Sequence, residues 1–225
     1  MNTSGKVPLP TLERLASYLR LLIDLEQAQT PTISSADIER QTGINAAQFR
    51  KDLSYFGEFG RPGVGYEVSD LRHRIAVILR VDTEQPVVLI GAGNLGSALA
   101  GYPGLMDHNF RLEAVFDNNI GKIGRVLWHL TIRDIEDLVC DNAEIRAQLA
   151  IIAVPAAAAQ AVADRAVEAG ITAILNFAPV PLRAPPGVFI RHVSFLRELA
   201  VLSYHLRDDK ALLAGSAATM PPGTV

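Results

Sequence analysis

Apolar positions recur with a helical period through the first third of the chain and as unbroken runs after it. From Thr11 to Leu25, Leu12, Leu15, Ala16, Leu19, Leu22 and Ile23 fall at i, i+3, i+4 spacing, which predicts an amphipathic helix stopped by Pro31. Ser34 with Asp37 three residues on predicts the N-cap of a second helix, and Gly43 supplies the residue that ends it. Asn45 with Gln48 resembles a second capping box, opening a helix from Ala46 to Phe56. Two short helices joined through Gly43-Ile44-Asn45 form a helix-turn-helix signature. Ser69 caps a further helix, with Leu71, Ile75, Ile78 and Leu79 on its buried side, ending near Val81.

The pattern changes at Pro86. Val87-Val88-Leu89-Ile90 is a continuous apolar strand, Leu112 to Phe116 is the next, and Ala147 to Val154 is a third, closed by Pro155. An alanine-rich helix runs from Ala156 to Ala169, then strands occupy Ile171 to Asn176 and Val188 to Val193. Strands alternating with helices predict a doubly wound parallel sheet covered on both faces, so the chain is α/β with a smaller helical N-terminal domain. The last helix, from Phe195 to Leu206, is apolar nearly all round, and a second subunit is the expected cover. The expected domains are residues 1–82, 83–193, a dimerisation helix over 194–210 and a disordered tail over 211–225.

Two stretches carry chemistry. On the Ala46–Phe56 helix, Ala46, Phe49, Leu53 and Phe56 share the core sector, while Ala47, Gln48, Lys51, Ser54 and Tyr55 point away with Arg50 at their edge. That outer face is either an ordinary solvated surface or a set of donors for a DNA major groove. Glycines 57, 60, 63 and 65 with Pro62 cannot continue the helix, and they predict a tight hairpin with Arg61 near its tip. The hairpin is a wing that places an arginine in a minor groove, or a plain linker.

The second stretch is Gly91-Ala92-Gly93-Asn94-Leu95-Gly96, directly after a strand and opening a helix, with Asp117 at the end of the next strand. Together these make up a dinucleotide fingerprint. Gly91 and Gly93 let the backbone turn and approach a pyrophosphate, Gly96 allows close helix–strand packing, and Asp117 accepts ribose hydroxyls. The carboxylate favours NAD(H) over NADP(H). Val154, Pro155 and Asn176-Phe177-Ala178-Pro179 lie at the same carboxyl edge of the sheet, where ligands bind in such folds.

Composition limits the reading further. The 225 residues are 49% hydrophobic, which guarantees a core and excludes a disordered polyelectrolyte. A single cysteine, Cys140, excludes an intrachain disulfide. No apolar run of about 18 residues is present and the first residues carry no apolar signal core, so a cytoplasmic protein is expected. The net charge of −3 argues against DNA binding until it is divided: residues 1–80 hold 10 Lys+Arg and 9 Asp+Glu, and the remainder is acidic.

A dehydrogenase would need an acid/base and a substrate domain. None of the five tyrosines has a lysine four positions on, and the five histidines show neither metal nor triad spacing. No catalytic residue and no metal ligand is assigned. His192 and His205 could approach a cofactor, but lone histidines of this kind are more often structural.

Phe49-Arg50-Lys51-Asp52-Leu53-Ser54-Tyr55-Phe56-Gly57, with Gly60, Gly63-Val64-Gly65-Tyr66, Tyr18-Leu19-Arg20, Tyr102-Pro103-Gly104 and Phe195-Leu196, closely resembles the redox-sensing transcriptional repressor Rex family, from about Val7 to Asp209. The resemblance implies winged-helix and Rossmann domains in a homodimer with an exchanged C-terminal helix. It implies binding to an inverted-repeat operator in double-stranded DNA and release by NADH, with NAD+ the weaker ligand. Carried across, Gln48, Arg50, Lys51, Ser54, Tyr55, Arg61 and Gly63 face DNA. Gly91, Ala92, Gly93, Asn94, Leu95, Gly96 and Asp117 hold the adenosine half of the cofactor, and Tyr102, Val154, Pro155, Asn176, Phe177, Pro179 and Phe195 the nicotinamide half. Family members often carry an acid able to pair with the arginine at Arg20, where this chain has Ser194. Two other classes stay open, an NAD-dependent oxidoreductase and a CoA-binding Rossmann protein.

Overall fold

The computed structural model describes residues 7–61 and 63–216. The chain divides into two compact units, one built from the chain up to Gln85 together with Gly104–Phe110 and the other from the rest.

In the helical unit the elements are α1 (Leu9–Gln27), β1 (Thr32–Ile33), α2 (Ser35–Thr42), α3 (Ala46–Ser54), β2 (Tyr66–Glu67) and α4 (Val68–Leu79). The Ser34 capping box forms in full, and Gly43 takes the left-handed conformation at the end of α2. Asn45 caps α3 through its side chain, accepting from Ala47 N–H. Gln48 takes no part in that cap, because its amide turns to Asp52. The α3 helix also ends earlier than expected, with Tyr55 as its C-cap. Ser69 does not cap α4: the helix begins at Val68 after Glu67, and Ser69 donates its hydroxyl to the Glu67 carboxylate.

Leu15, Tyr18, Leu22, Ile38, Phe49, Leu71 and Ile75 are buried together as the core of this unit. The Phe49 ring stands edge-on to Tyr18 at 4.9 Å and to Tyr66 at 5.2 Å, so α3 is keyed to α1 and to the second strand. β1 and β2 pair antiparallel, and the glycine-rich segment before β2 closes on itself through the Arg61–Gly65 bridge. Four helices with this two-stranded sheet and its hairpin are a winged helix-turn-helix. Pro62, part of the expected hairpin, lies outside the described residues.

In the other unit, β3 (Gln85–Ile90) leads into α5 (Asn94–Ala100). The chain then passes through α6 (Gly104–Asp107), which belongs to the helical unit, and continues in β4 (Phe110–Asp117), β5 (Val126–Leu127), β6 (Leu130–Asp134), α7 (Leu138–Ile145), β7 (Leu149–Ile152), α8 (Ala156–Glu168), β8 (Ala173–Asn176), β9 (Phe189–His192) and α9 (Phe195–Ser216). The sheet order is β5-β6-β4-β3-β7-β8-β9, parallel in every recorded pair except β5–β6. Val88, Ile90, Phe116, Ala150 and Ile152 pack on one face with Leu138 of α7 and Ala159, Ala163 and Ala166 of α8. Val87, Leu89, Val115 and Ile151, on the opposite face, are buried as well. Fully covered strands explain the unbroken apolar runs in the sequence.

The β5–β6 hairpin and α7 are elements that the apolar pattern did not predict. Trp128 sits at the hairpin turn with a φ of 57°. Its indole N–H donates to the Ser97 carbonyl at 3.2 Å, and the ring lies over Gly101, where any Cβ would collide with it. The last helix runs on to Ser216, past the expected end; the remainder of the expected tail, residues 217–225, lies outside the described residues. Leu196, Leu199, Leu202 and Tyr204 on α9 are each more than half exposed.

Candidate functional site

In the sheet unit, β3 ends at Ile90 and the chain turns through Gly91 with φ at 106°. A side chain there would run into the Ala153 carbonyl, and one at Gly96 would run into the Gly91 carbonyl. Both glycines are required by the fold itself. Gly93 is different: its backbone is extended and a Cβ would meet nothing within 4 Å. No internal packing demands glycine at that position, so the open space above Gly93 fits a ligand that approaches the backbone. The first turn of α5 has no side-chain cap, which leaves its N–H groups available to an anion.

Asp117 closes the other side. It is buried, and its Oδ2 accepts from Ala92 N–H at 2.8 Å and from the Lys122 ammonium at 3.0 Å, while Oδ1 accepts from Asn119 N–H at 2.8 Å. Burial pushes this carboxyl up, but the Asn119 and Ala92 N–H groups and Lys122 outweigh burial and hold it below the ordinary aspartate value. A pocket of about 600 Å³ runs between these groups, lined by Gly91, Gly93, Asp117, Lys122, Val154 and Pro155 among others. Asn94, Leu95 and Gly96 open α5 beside it. The glycine cradle and the ionised carboxylate fit the pyrophosphate and ribose of a dinucleotide.

The residues expected around the nicotinamide divide. Val154 and Pro155 line the pocket, whereas Tyr102, Asn176, Phe177, Pro179 and Phe195 do not. Tyr102 and Phe195 are 60% and 64% exposed. Asn176 is fully buried and serves the protein: its Nδ2 reaches the Val180 carbonyl at 2.9 Å and His192 Nδ1 at 3.0 Å, and its Oδ1 accepts from Ala178 N–H. It shapes the Phe177–Pro179 loop, and the same bond gives His192 a structural partner. Ser194 accepts from the Arg197 N–H at the start of α9. Lys122 was missed by sequence reasoning because it stands five residues beyond Asp117 and outside the fingerprint.

In the helical unit, Lys51, Ser54 and Tyr55 stand exposed on the outer face of α3, as does Arg50, whose guanidinium bonds Ser35 Oγ at 2.7 Å. Arg61 is exposed at the base of the hairpin turn, which Gly63 rounds with φ at 77°. Arg74 fastens that hairpin from α4, its guanidinium 3.7 Å from the centroid of the Phe59 ring and bonded to the Glu58 carbonyl. Beneath α3, the fully buried Asp52 accepts from Arg14 Nε and an Arg14 terminal nitrogen at 2.6 Å each, Tyr18 Oη at 3.0 Å, Thr11 Oγ1 at 3.2 Å and Gln48 Nε2 at 2.8 Å. Burial raises the Asp52 carboxyl, and hydrogen bonds from Arg14, Gln48 and Tyr18 reverse that and hold it low. The two unpredicted residues, Asp52 and Arg74, hold the surface that the predicted ones display.

A winged helix carrying an exposed cationic face, in one chain with a dinucleotide-type cradle, defines a transcription regulator with a ligand-binding domain. The comparisons make the family specific. Residues 6–54 match a family described as "Putative DNA-binding protein N-terminus", and residues 82–180 match "CoA binding domain". A "Redox-sensing transcriptional repressor Rex" of Pelotomaculum thermopropionicum is 46% identical over 201 residues, covering 89% of this chain and 94% of the relative. The Rex repressor of Streptomyces coelicolor is 39% identical over 219 residues, covering 97% and 85%. A crystal structure of RSP in complex with beta-NAD+ and operator DNA superimposes with a TM-score of 0.86 at 33% identity, covering 96% of this chain and all of that one. RSP in complex with beta-NADH gives 0.83 at 32% identity, covering 94% and 99%. The chain belongs to the redox-sensing transcriptional repressor Rex family.

The relatives are named as repressors, a regulatory role and not a catalytic one. Among the described residues no helix is long and apolar enough to cross a membrane, and no cluster of three or more metal-ligating side chains is present.

Proposed function

We propose that this protein is a cytoplasmic, homodimeric repressor that binds operator DNA when NADH is scarce and leaves it when NADH fills the cradle at Gly93. The observation that supports this reading most directly is the open space at Gly93 beside an ionised Asp117, in a chain similar to RSP, which is found with beta-NAD+ and operator DNA and with beta-NADH. Residues 1–82 are the DNA-reading domain, 83–193 the sensor, and α9 carries the dimer contact.

On the DNA side, Arg50, Lys51, Ser54 and Tyr55 enter a major groove and Arg61 reaches from the wing, with Gln48 and Gly63 at their margins. On the sensor side, Gly91 to Gly96 and Asp117 take the adenosine half. Tyr102, Val154, Pro155, Phe177, Pro179 and Phe195, the last from the partner subunit, enclose the nicotinamide, with Asn176 setting the loop. The bound ligand supplies the signal as ring charge, neutral in NADH and cationic in NAD+. A desolvating pocket penalises an unpaired cation, so NADH is the tighter ligand. Closing on it rotates one subunit against the other. Two recognition helices about 34–36 Å apart, or a multiple of that, then lose their match to successive major grooves.

An operator gel shift titrated with NADH and with NAD+ tests the reading. Release by NADH at concentrations where NAD+ leaves the complex intact is expected. Equal release by both overturns it, and so does stabilisation of the protein by CoA and not by NADH, the outcome that the similarity to a CoA-binding domain makes worth including.

A further inference from the structure

The chain passes between its compact units at three places: after Gln85, after Pro103 and after Phe110. The piece between the last two, Gly104–Phe110, belongs to the unit that carries α3, although both of its flanks belong to the sheet. One side chain fastens it there. Asn109 donates from Nδ2 to the Val81 carbonyl at 2.8 Å, and its own carbonyl accepts the Gln85 N–H at 2.7 Å. Val81 lies just beyond the end of α4, Gln85 is the first residue of β3, and Asn109 immediately precedes β4. A single residue therefore ties together the stretches next to the first and third passages.

The backbone at Asn109 is left-handed, with φ at 62°, a conformation that asparagine tolerates better than most residues. Asp107, His108 and Asn109 border a small cavity of about 150 Å³ together with Leu19 and Ile23 of α1 and Arg72 and Ala76 of α4. The segment thus rests on two of the helices that make up the core beneath α3. At the other end, only Gly101, Tyr102 and Pro103 separate Gly104 from α5, the helix that opens at the glycine cradle. Pro103 has a fixed φ, which stiffens that connection.

We propose that Gly104–Phe110 is a strap that carries displacement of α5 and Tyr102 into the DNA-reading unit of the same chain, and that Asn109 is the positioning residue that keeps it taut. This rests on the repressor reading above. A ligand can shift the DNA-bound state only through an element that responds to it in one place and bears on DNA binding in another. The strap joins the two within one subunit, in addition to any rotation between subunits.

Three quantities test it: operator affinity without dinucleotide, NADH affinity without DNA, and NADH affinity on the operator complex. Wild-type protein is expected to show reciprocal coupling of about 5–150-fold. In Asn109→Gly, which keeps the backbone conformation and removes the side-chain bond, and in Asn109→Ala, each separate affinity is expected to stay within about threefold while the coupling falls to about threefold or less. A glycine inserted between Pro103 and Gly104 slackens the strap without touching Asn109 and is expected to do the same. Full coupling in the Asn109 variants, or in the insertion, overturns the strap while leaving the repressor reading intact. A loss of operator or NADH affinity that accounts for the whole change also overturns it. Wild-type protein whose operator affinity ignores NADH overturns the repressor reading, and the strap with it.

Discussion

The two units offer opposite kinds of surface. The winged helix presents long side chains, Arg50, Lys51 and Arg61, on a surface held from below by a buried carboxylate with partners on α1 and α3. The sheet presents backbone, laid bare where side chains are missing at Gly91, Gly93 and Gly96. In the first unit the proposed DNA contact and the internal support are different residues, Lys51 outside and Asp52 inside. In the second the proposed ligand contact and the internal support share one loop, and only Gly93 is free of the fold. A chain built this way can lose either activity alone, provided the substitution is placed accordingly.

Four substitutions or conditions sharpen that contrast, from the largest effect to the smallest. Asp52→Ala strips a buried charge cluster of its centre and leaves Arg14 and Tyr18 without their acceptor, and about 3 kcal/mol of stability is expected to go with it. Urea unfolding reads this as loss of the helical unit, and persistent NADH binding by the same variant shows that the sheet is untouched. Operator binding at wild-type strength defeats this prediction. Gly93→Val meets open space, so the fold is expected to keep its stability while NADH affinity falls by about 100-fold, roughly 2.7 kcal/mol, with operator binding retained. A drop in melting temperature to match would show that Gly93 is structural like its neighbours.

Lys51→Ala is expected to weaken operator binding about tenfold and to flatten its salt dependence, leaving NADH affinity alone. Titration at two salt concentrations distinguishes this from a general loss of fold. The smallest effect is with pH. Asp52 and Asp117 both titrate lower folded than unfolded, so their contribution is complete above the ordinary aspartate range and is lost as the pH falls through their folded values. Unfolding free energy measured from pH 6 downward is expected to fall less steeply in Asp52→Asn and Asp117→Asn than in wild type. Parallel curves contradict the assignment.

Most of the architecture was legible because it is local. The helical period of α1, the Ser34 capping box, the glycine after α2 and the strand–glycine–helix unit each depend on residues within a turn or two of one another. The apolar run at Val87–Ile90 reads as a buried strand because both of its faces are covered. The β5–β6 hairpin was invisible for the converse reason: β5 has two residues and β6 buries only Ile132, too little to show in an apolar pattern.

The site was legible in part. Gly91, Gly93 and Asp117 follow from the fingerprint, whereas Asp52 gathers Thr11, Arg14 and Tyr18 from across the unit, and spacing along the chain does not reveal such a cluster. Asn176 was read as a ligand contact on account of its place at the sheet edge. Its burial turned it inward, a reminder that the edge needs braces as well as contacts.

The protein has a single tryptophan, and it leans on the C-terminal end of the helix whose other end forms the cradle. Indole emits in the near ultraviolet, where dihydronicotinamide absorbs and the oxidised pyridinium does not. Trp128 is therefore expected to serve as an optical reporter of the redox signal, its emission falling when the reduced ligand binds and staying bright with the oxidised one. The two forms can be told apart at the protein, without a label and without DNA.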